Sequence, residues 1–403
     1  MDRLDKIFDS FATSSLFKNK SVLQSNYSPN SILHRTEQVE NIASILGPVL
    51  RGERASNLFL YGKTGTGKTL SARYVGEKIE AKIRDSRSEV GLKFLYVNCK
   101  SKKVSDTEYR IIAELISLLG ESVPATGLPT DAVYSKFIDL VDKERQNVVL
   151  VLDEIDQAVK KISDNFIYTL TRINSELKNS QISLVGISNS LTFMDNLDPR
   201  VRSSLGEEEI IFPPYNALQL RDILENRAKE AFSTDVLEEG VIAKCAAYAA
   251  REHGDARRAL DLLRVAGEIA VREGSDKVLL EHIDSANNKI ERDKMLDIIQ
   301  NEPTQFQLVL YSIMRLNERK EIDKIFTGDV YNIYQEICEQ TKNEILTQRR
   351  ISDILAEFDM LGIINAKVIS KGRQGRTREI RLMLSPNVKE KAWGILKDSL
   401  DIK

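Results

Sequence analysis

Cysteine is scarce in this chain of 403 residues: Cys99, Cys245 and Cys338 are the only three, and they lie far apart. That spacing excludes a disulfide framework and shows no zinc-ligand pattern, so each is expected as a small core residue. Long apolar runs are missing too, none approaching the roughly twenty residues that span a bilayer. The opening residues Met1, Asp2, Arg3, Leu4, Asp5 and Lys6 are too polar for a secretory leader, and a cytoplasmic protein is expected. Nor is there an excess of one charge. The 58 Lys and Arg face 60 Asp and Glu, a net charge of −2. Nothing therefore draws the whole molecule to nucleic acid, and any such contact must come from a local concentration of charge. At about 150 residues per domain, the length suggests two or three domains, each able to bury a core.

What is present is a glycine-rich stretch, Gly62, Lys63, Thr64, Gly65, Thr66, Gly67, Lys68 and Thr69, in the pattern Gly-x-x-x-x-Gly-Lys-Ser/Thr. Leu58 to Tyr61 before it reads as a short buried strand, and Leu70 to Ile79 after it has helical spacing. A loop between a strand and a helix is the setting this pattern requires. Its glycines let the backbone turn tightly and aim N–H groups, with the helix N-terminus behind them, at phosphate oxygens. A nucleotide site for ATP or ADP is expected, Lys68 reaching the terminal phosphates and the Thr69 hydroxyl ligating Mg²⁺.

Farther along, the apolar run Asn147 to Leu152 ends in Asp153 and Glu154. A buried parallel strand would deliver these acids at its C-terminal end, Asp153 to the Mg²⁺ shell and Glu154 to the attacking water as general base. The alternative is a core strand followed by an ordinary acidic first turn of a helix.

Strand candidates at 58–61, 94–98, 148–152 and 182–187 alternate with helical stretches up to about Phe212, which predicts an α/β fold with a doubly wound parallel sheet. Asn189 follows the last of these strands, where it either orients water or is a turn residue. Past Tyr215 helical periodicity takes over to about Gln300. Domains are therefore expected at 1–214, 215–300 and 301–403. In the second, His253 to Arg258 precedes an apolar-striped helix and offers arginines that either swing onto phosphate or cap and solvate the helix.

The last hundred residues carry helical spacing at 306–316 and 330–338. A third helix runs from a Thr347 N-cap to a Gly362 stop. Two alternating segments then flank Lys371, Gly372, Arg373, Gln374, Gly375 and Arg376. Three helices and a basic hairpin predict a winged helix-turn-helix. Its hairpin would hold DNA phosphates, while Gln348, Arg349, Arg350 and Ser352 at the exposed start of the third helix would face a major groove. Winged helices also serve as protein-docking modules.

These elements together resemble the archaeal origin-recognition initiators, AAA+ ATPases similar to the largest subunit of the eukaryotic origin recognition complex and to its licensing partner. The resemblance rests on Tyr27 to Arg35, the phosphate loop, Leu152 to Asp156, Gly186 to Asn189, Leu197 to Leu205, Gly254 to Leu260 and Leu346 to Ser352. It implies Asn189 as first sensor, Arg257 as second sensor, and Tyr27, Pro29, His34 and Arg35 against adenine, with Leu70, Tyr215 and Arg227 also on the nucleotide. It further implies an inserted helical element over about 106–143 whose bend, with Thr126, Gly127 and Leu128, touches DNA; from its residues alone the bend is a loop. Where many relatives carry an interface arginine this chain has Ser204, so Arg200 or Arg202 supplies the finger or none does. The resemblance implies an ATP-regulated, sequence-specific double-stranded DNA-binding initiator with slow hydrolysis, working with the replicative helicase and paralogous initiators. A transcription regulator on the same scaffold is the alternative, and the basic wing argues against a clamp loader.

Overall fold

The structure is a computed structural model that describes residues 16–25, 27–29, 31–85, 91–101, 107–124, 126–318, 324–370 and 376–402. The chain forms two compact units, Met1–Ile283 and Asp284–Lys403.

The first unit is built on five parallel strands, β1 (Leu58–Tyr61), β2 (Gly91–Asn98), β3 (Gln146–Asp153), β4 (Gln181–Ser188) and β5 (Glu208–Ile211), in the order β2-β3-β4-β1-β5. Every residue of β3 is buried, as its unbroken apolar run requires of a strand covered on both faces. The four strands read from sequence are present. The fifth was not expected, because Glu208 and Glu209 are exposed and only Ile210 of its four residues is buried. Such a half-wet edge strand carries too little apolar pattern to be seen. Asn57 ties the strand entrances together: its side chain accepts the Leu184 N–H at 2.9 Å and donates to the Ser204 carbonyl at 2.8 Å.

Helices cover both faces: α1 (Thr36–Leu46), α2 (Lys68–Asp85), α3 (Glu108–Leu118), α4 (Thr130–Val141), α5 (Ile155–Ile162), α6 (Asn165–Arg172) and α7 (Pro199–Leu205). The inserted pair α3 and α4 buries Ile111, Ile112 and Leu115 and Val133, Tyr134 and Phe137, as their spacing predicts, while Leu119 and Leu140 are only partly covered. The intervening Thr126, Gly127 and Leu128 are exposed, and Ala125 lies outside the described residues.

Four helices follow the sheet: α8 (Ala217–Ala231), opened by a capping box of Asn216 and Gln219, then α9 (Val241–Arg251), α10 (Ala256–Glu273) and α11 (Leu280–Asn301). Asp255 caps α10 by accepting the Arg257 and Arg258 N–H groups, and Gly274 closes it at φ 70°. All three cysteines are free and buried. Among the described residues no helix is long and apolar enough to cross a membrane.

The second unit packs α12 (Thr304–Glu318), α13 (Thr327–Thr341) and α14 (Gln348–Met360) against an antiparallel sheet of β6 (Ile325–Phe326), β8 (Arg376–Leu382) and β7 (Ile364–Ser370). The hairpin register runs from Ile364 opposite Leu382 to Ser370 opposite Arg376. Two elements were not expected, the two-residue β6 and a terminal helix α15 (Pro386–Leu400), which closes the core with Ala392, Leu396 and Leu400. Lys371, Gly372, Arg373, Gln374, Gly375 and the side chain of Arg376 lie outside the described residues.

Tyr334, fully buried on α13, fixes the approach to α14. Its hydroxyl donates to Gln305 Oε1 at 2.5 Å and accepts the Leu346 N–H at 3.0 Å, one residue before the Thr347 cap. Tyr334→Phe leaves both half-buried groups without this partner and is expected to destabilise this unit by about 1 to 3 kcal/mol. Urea unfolding followed by circular dichroism measures it, and an unchanged midpoint would contradict the assignment.

Candidate functional site

Parallel register decides where the chemistry gathers. Tyr61 pairs with Ser188, Asp153 with Ile187, and Asn98 with Asp153, so β1, β2, β3 and β4 all end at one edge of the sheet. The phosphate loop, Asn98, the Asp153–Glu154 pair and Asn189 thus face the same cavity of about 280 Å³. Ligands of open α/β sheets bind at this carboxyl edge.

Two loop glycines are needed for conformation and for room. Gly65 has φ 68°, and the Asp255 carboxylate occupies the space where a Cβ would stand. Gly67 has φ 95°, and the Tyr215 hydroxyl closes on it in the same way. The Ala256 N–H donates to the Gly65 carbonyl at 3.2 Å, which joins the start of α10 directly to the loop.

Lys68 is 5% exposed, and its ammonium donates to the Gly62 carbonyl at 2.8 Å, the Lys63 carbonyl at 2.7 Å and Asn189 Oδ1 at 2.9 Å. Burial lowers its pKa to about 8, against the pull of Asp153 in the other direction. Asn189 reaches Glu154 Oε1 with its amide nitrogen at 3.3 Å, so one side chain links the ammonium to the carboxylate. Glu154 itself sits in the left-handed region at φ 53°, which a non-glycine residue adopts at a cost and which recurs at functional sites. Thr69 Oγ1 donates to Asp153 Oδ2 at 2.8 Å. A hydroxyl and a carboxylate beside a phosphate-sized opening suit a hard divalent cation that shares its remaining positions with phosphate and water. Asp156 has no partner role in the sequence reading. Its Oδ1 accepts the Ser188 hydroxyl at 3.1 Å and fixes the strand end that bears Asn189.

Tyr27, Pro29, Leu70, Tyr215, Arg227 and Arg257 also line the cavity, together with the apolar Ile32, Leu33, Ile223 and Leu260. Arg227 lies over the Tyr27 ring at 4.5 Å, is 7% exposed, and buries Nη1 with no hydrogen-bond partner among the described residues. A cation and an aromatic face beside these apolar side chains suit a heteroaromatic base. Gly62, Lys63 and Thr64 form the loop's entry without lining the cavity, and Lys63 Nζ instead meets His253 Nδ1 at 3.3 Å.

His34 and Arg35 differ from the expected contact with adenine: neither lines the cavity. His34 Nε2 faces Asp222 on α8 at 3.0 Å. Arg35 is 2% exposed, donates from Nε to the Thr66 carbonyl at 2.8 Å, and stacks on Tyr215 at 3.8 Å. It braces the phosphate loop from behind, a role no local spacing announces. Arg200 and Arg202 also lie off the cavity, Arg200 paired with Asp198 at 3.0 Å and Arg202 with Asp195 at 3.3 Å. Tyr96, Asn98 and Arg73 line the cavity without having been foreseen. Burial and the Asp153 charge push the Tyr96 phenol pKa upward.

In the second unit Gln348, Arg349 and Arg350 are exposed on the first turn of α14, with Arg350 loosely paired to Asp353 at 3.9 Å. The Ser352 hydroxyl donates back to the Gln348 carbonyl at 3.1 Å, so it is free to accept rather than to donate as expected. Arg378 of β8 donates to the Ser352 carbonyl at 2.7 Å and ties the hairpin to this helix.

Known domain profiles match three stretches of the chain. They are an AAA domain over residues 51–194, a Cdc6 AAA+ ATPase-type lid domain over 221–288 and the CDC6 C-terminal winged helix domain over 297–392. The ORC1-type DNA replication protein of Thermococcus onnurineus is 53% identical over 388 residues, 95% of this chain and 92% of its own. The chain belongs to the ORC1/Cdc6 family of AAA+ ATPases. ORC1-type DNA replication protein 1 of Methanosarcina mazei is 50% identical across 94% of this chain and 91% of its own. The solved structure of the Aeropyrum pernix ORC1 protein in complex with DNA superposes with a TM-score of 0.82 at 45% identity, over 96% of this chain and 97% of that one. A nucleotide site in an AAA+ module and a C-terminal winged helix are thus family features of this chain.

Two outcomes follow from Lys68. Lys68→Ala is expected to weaken ATP binding by more than about 100-fold, about 3 kcal/mol. Glu154→Gln, which keeps the side chain's size and an acceptor for Asn189, should bind ATP normally and lose turnover; equal affinity of the Lys68 variant and the wild type would refute the assignment. The second outcome is proton linkage. With a folded value of about 8 against 10.5 when unperturbed, Lys68 penalises folding below about pH 8, and the penalty fades as pH rises. Phosphate charge restores the ordinary value, so nucleotide binding near pH 8.5 should take up a fraction of a proton and near pH 6.5 essentially none. Calorimetry in buffers of different ionisation enthalpy reads the uptake, and uptake equal at both pH values would be the contrary result.

Proposed function

We propose that this chain is an ATP-regulated, sequence-specific double-stranded DNA-binding initiator that recognises replication origins and helps load the replicative helicase. The observation that carries the reading is the pairing, in one chain, of a nucleotide cavity complete from base slot to catalytic carboxylate with a winged helix whose α14 exposes Gln348, Arg349 and Arg350. The domain limits are placed near 214 and 300, and Mg²⁺ with ATP or ADP is the proposed ligand.

In this reading the loop N–H groups and Lys68 hold the phosphates, while Thr69 and Asp153 hold Mg²⁺. When bound, the ion would neutralise phosphate charge. Glu154 takes the proton of the attacking water, Asn189 orients that water between Glu154 and Lys68, and Arg257 reaches the phosphates from α10. Arg227 and Tyr27 clamp the base. Arg200 and Arg202 lie away from their own chain's cavity, so a finger role belongs to a neighbouring copy and hydrolysis by a single chain is slow.

On DNA, the hairpin residues Lys371 to Arg376 grip phosphates, α14 reads bases, and Thr126 to Leu128 supply a second contact. Removing Arg373 and Arg376 together is expected to weaken binding to every sequence and to lower the salt slope by about two. Arg349→Ala should instead cost about 1 to 3 kcal/mol at one base pair and relax specificity there. Replacing Leu128 should shorten the footprint and spare overall affinity. Titrations and footprints on one origin fragment separate these effects, and a uniform loss from all three changes would contradict the division. Mapping the protein along the genome tests the biological role: occupancy at origins supports it, and occupancy confined to promoters overturns it in favour of a regulator.

A further inference from the structure

Asp153 is held by more than the phosphate loop. Tyr96 stands on β2 opposite Val151, two residues before the strand ends, and its hydroxyl donates to Asp153 Oδ2 at 2.5 Å. The same oxygen accepts the Thr69 hydroxyl at 2.8 Å, while Oδ1 accepts the Glu154 N–H at 2.9 Å. Three donors therefore fix both oxygens of one carboxylate. The Tyr96 ring is itself covered by Arg73 of α2, whose guanidinium carbon lies 3.9 Å from the ring centroid. Both residues face the nucleotide cavity.

Two effects of the Tyr96 hydroxyl oppose each other. A charge-assisted hydrogen bond draws electron density from Asp153 and weakens its pull on a cation. It also holds the carboxylate in one orientation beside the cavity that Asp153 lines. Where most ligands of a magnesium ion are phosphate oxygens and waters, a single protein carboxylate contributes through direction more than through charge. Groups that orient a ligating carboxylate typically change metal affinity by about 10 to 100-fold when removed. Orientation therefore outweighs the lost charge density.

We propose that Tyr96 is a positioning residue for the magnesium-binding carboxylate, and that Arg73 acts behind it by holding the ring in place. The inference rests on the proposed Mg²⁺-nucleotide reading of this cavity. Through it, the end of β2 joins the loop and β3 in setting how strongly nucleotide affinity depends on magnesium.

The test is binding of a fluorescent ATP analogue to the full chain, by anisotropy, first in EDTA and then across a magnesium titration. Tyr96→Phe keeps the ring and removes one oxygen. Its affinity in EDTA should stay within about twofold of wild type, while the magnesium concentration giving half of the enhancement should rise about tenfold. Arg73→Met, which leaves the hydroxyl in place, should shift that concentration in the same direction by a smaller factor. A Tyr96→Phe magnesium curve that superimposes on the wild-type curve overturns this inference alone, as does an equal loss with and without magnesium. A wild-type chain whose nucleotide affinity ignores magnesium overturns the Mg²⁺-nucleotide reading as well.

Discussion

A buried ammonium has to be surrounded by oxygens, and the first unit is arranged to meet that demand at Lys68. Its three acceptors come from two consecutive carbonyls of the same loop, Gly62 and Lys63, and from Asn189 at the end of a strand more than a hundred residues later. An amine so deep in protein loses hydration worth several kcal/mol, which the three hydrogen bonds only partly replace. The depressed pKa is the visible remainder of that cost. The loop is consequently shaped before any phosphate arrives, and an incoming polyphosphate meets a cation that gains from its approach. Asn189, committed to Lys68 at one end and Glu154 at the other, links the ammonium to that carboxylate.

The loop is also held from outside. Arg35 presses on it through the Thr66 carbonyl, and α10 begins against it through the Ala256 N–H and the Asp255 carboxylate at Gly65. Arg35 in turn stacks on Tyr215, the residue where the chain leaves the sheet for the helices that follow. The Tyr215 N–H donates to the Gly254 carbonyl at 3.2 Å. The loop and the Gly254–Ala256 turn are therefore in direct contact. These contacts are backbone hydrogen bonds and a cation over an aromatic face, each worth about 1 kcal/mol. Ligand binding energies are large enough to break them.

Sequence made the local parts of this machinery legible. The loop, the β3 acids and the Thr347 cap all depend on residues within a few positions of one another, where spacing alone constrains geometry. Asp153 and Asn189 could be placed because each follows an apolar strand, and parallel strands end together. What escaped depends on distant pairing. Tyr96 looks like any strand tyrosine until β2 is known to lie beside β3, and Arg73 like any helix arginine until its neighbour is known. Arg35 was assigned to adenine by resemblance, but its guanidinium is engaged by the Thr66 carbonyl and the Tyr215 ring, partners distant in sequence. Strand β5 was lost because two of its four residues are exposed glutamates. Helix α15 shows a clear stripe at Val388, Ala392, Leu396 and Leu400, yet it follows a hairpin that already seemed to complete a winged helix.

The cations distinguish holding a nucleotide from turning it over. Within the cavity of one chain the positive charge comes from Lys68, Arg73, Arg227 and Arg257, and only Lys68 is hydrogen-bonded to the groups that surround the reacting phosphate in the proposed function. Arg200 and Arg202 are tied instead to Asp198 and Asp195 on an exposed surface. Exposed pairs of this kind are worth well under about 1 kcal/mol, so they restrain the arginines without committing them. Charge that stabilises a phosphoryl transition state can add several orders of magnitude to the rate. In the finger role Arg200 and Arg202, which lie outside their own chain's cavity, would add their charge at a neighbouring copy's site. Under the proposed function the bound ATP is then a persistent state of the single chain, and hydrolysis becomes a property of how copies meet on DNA.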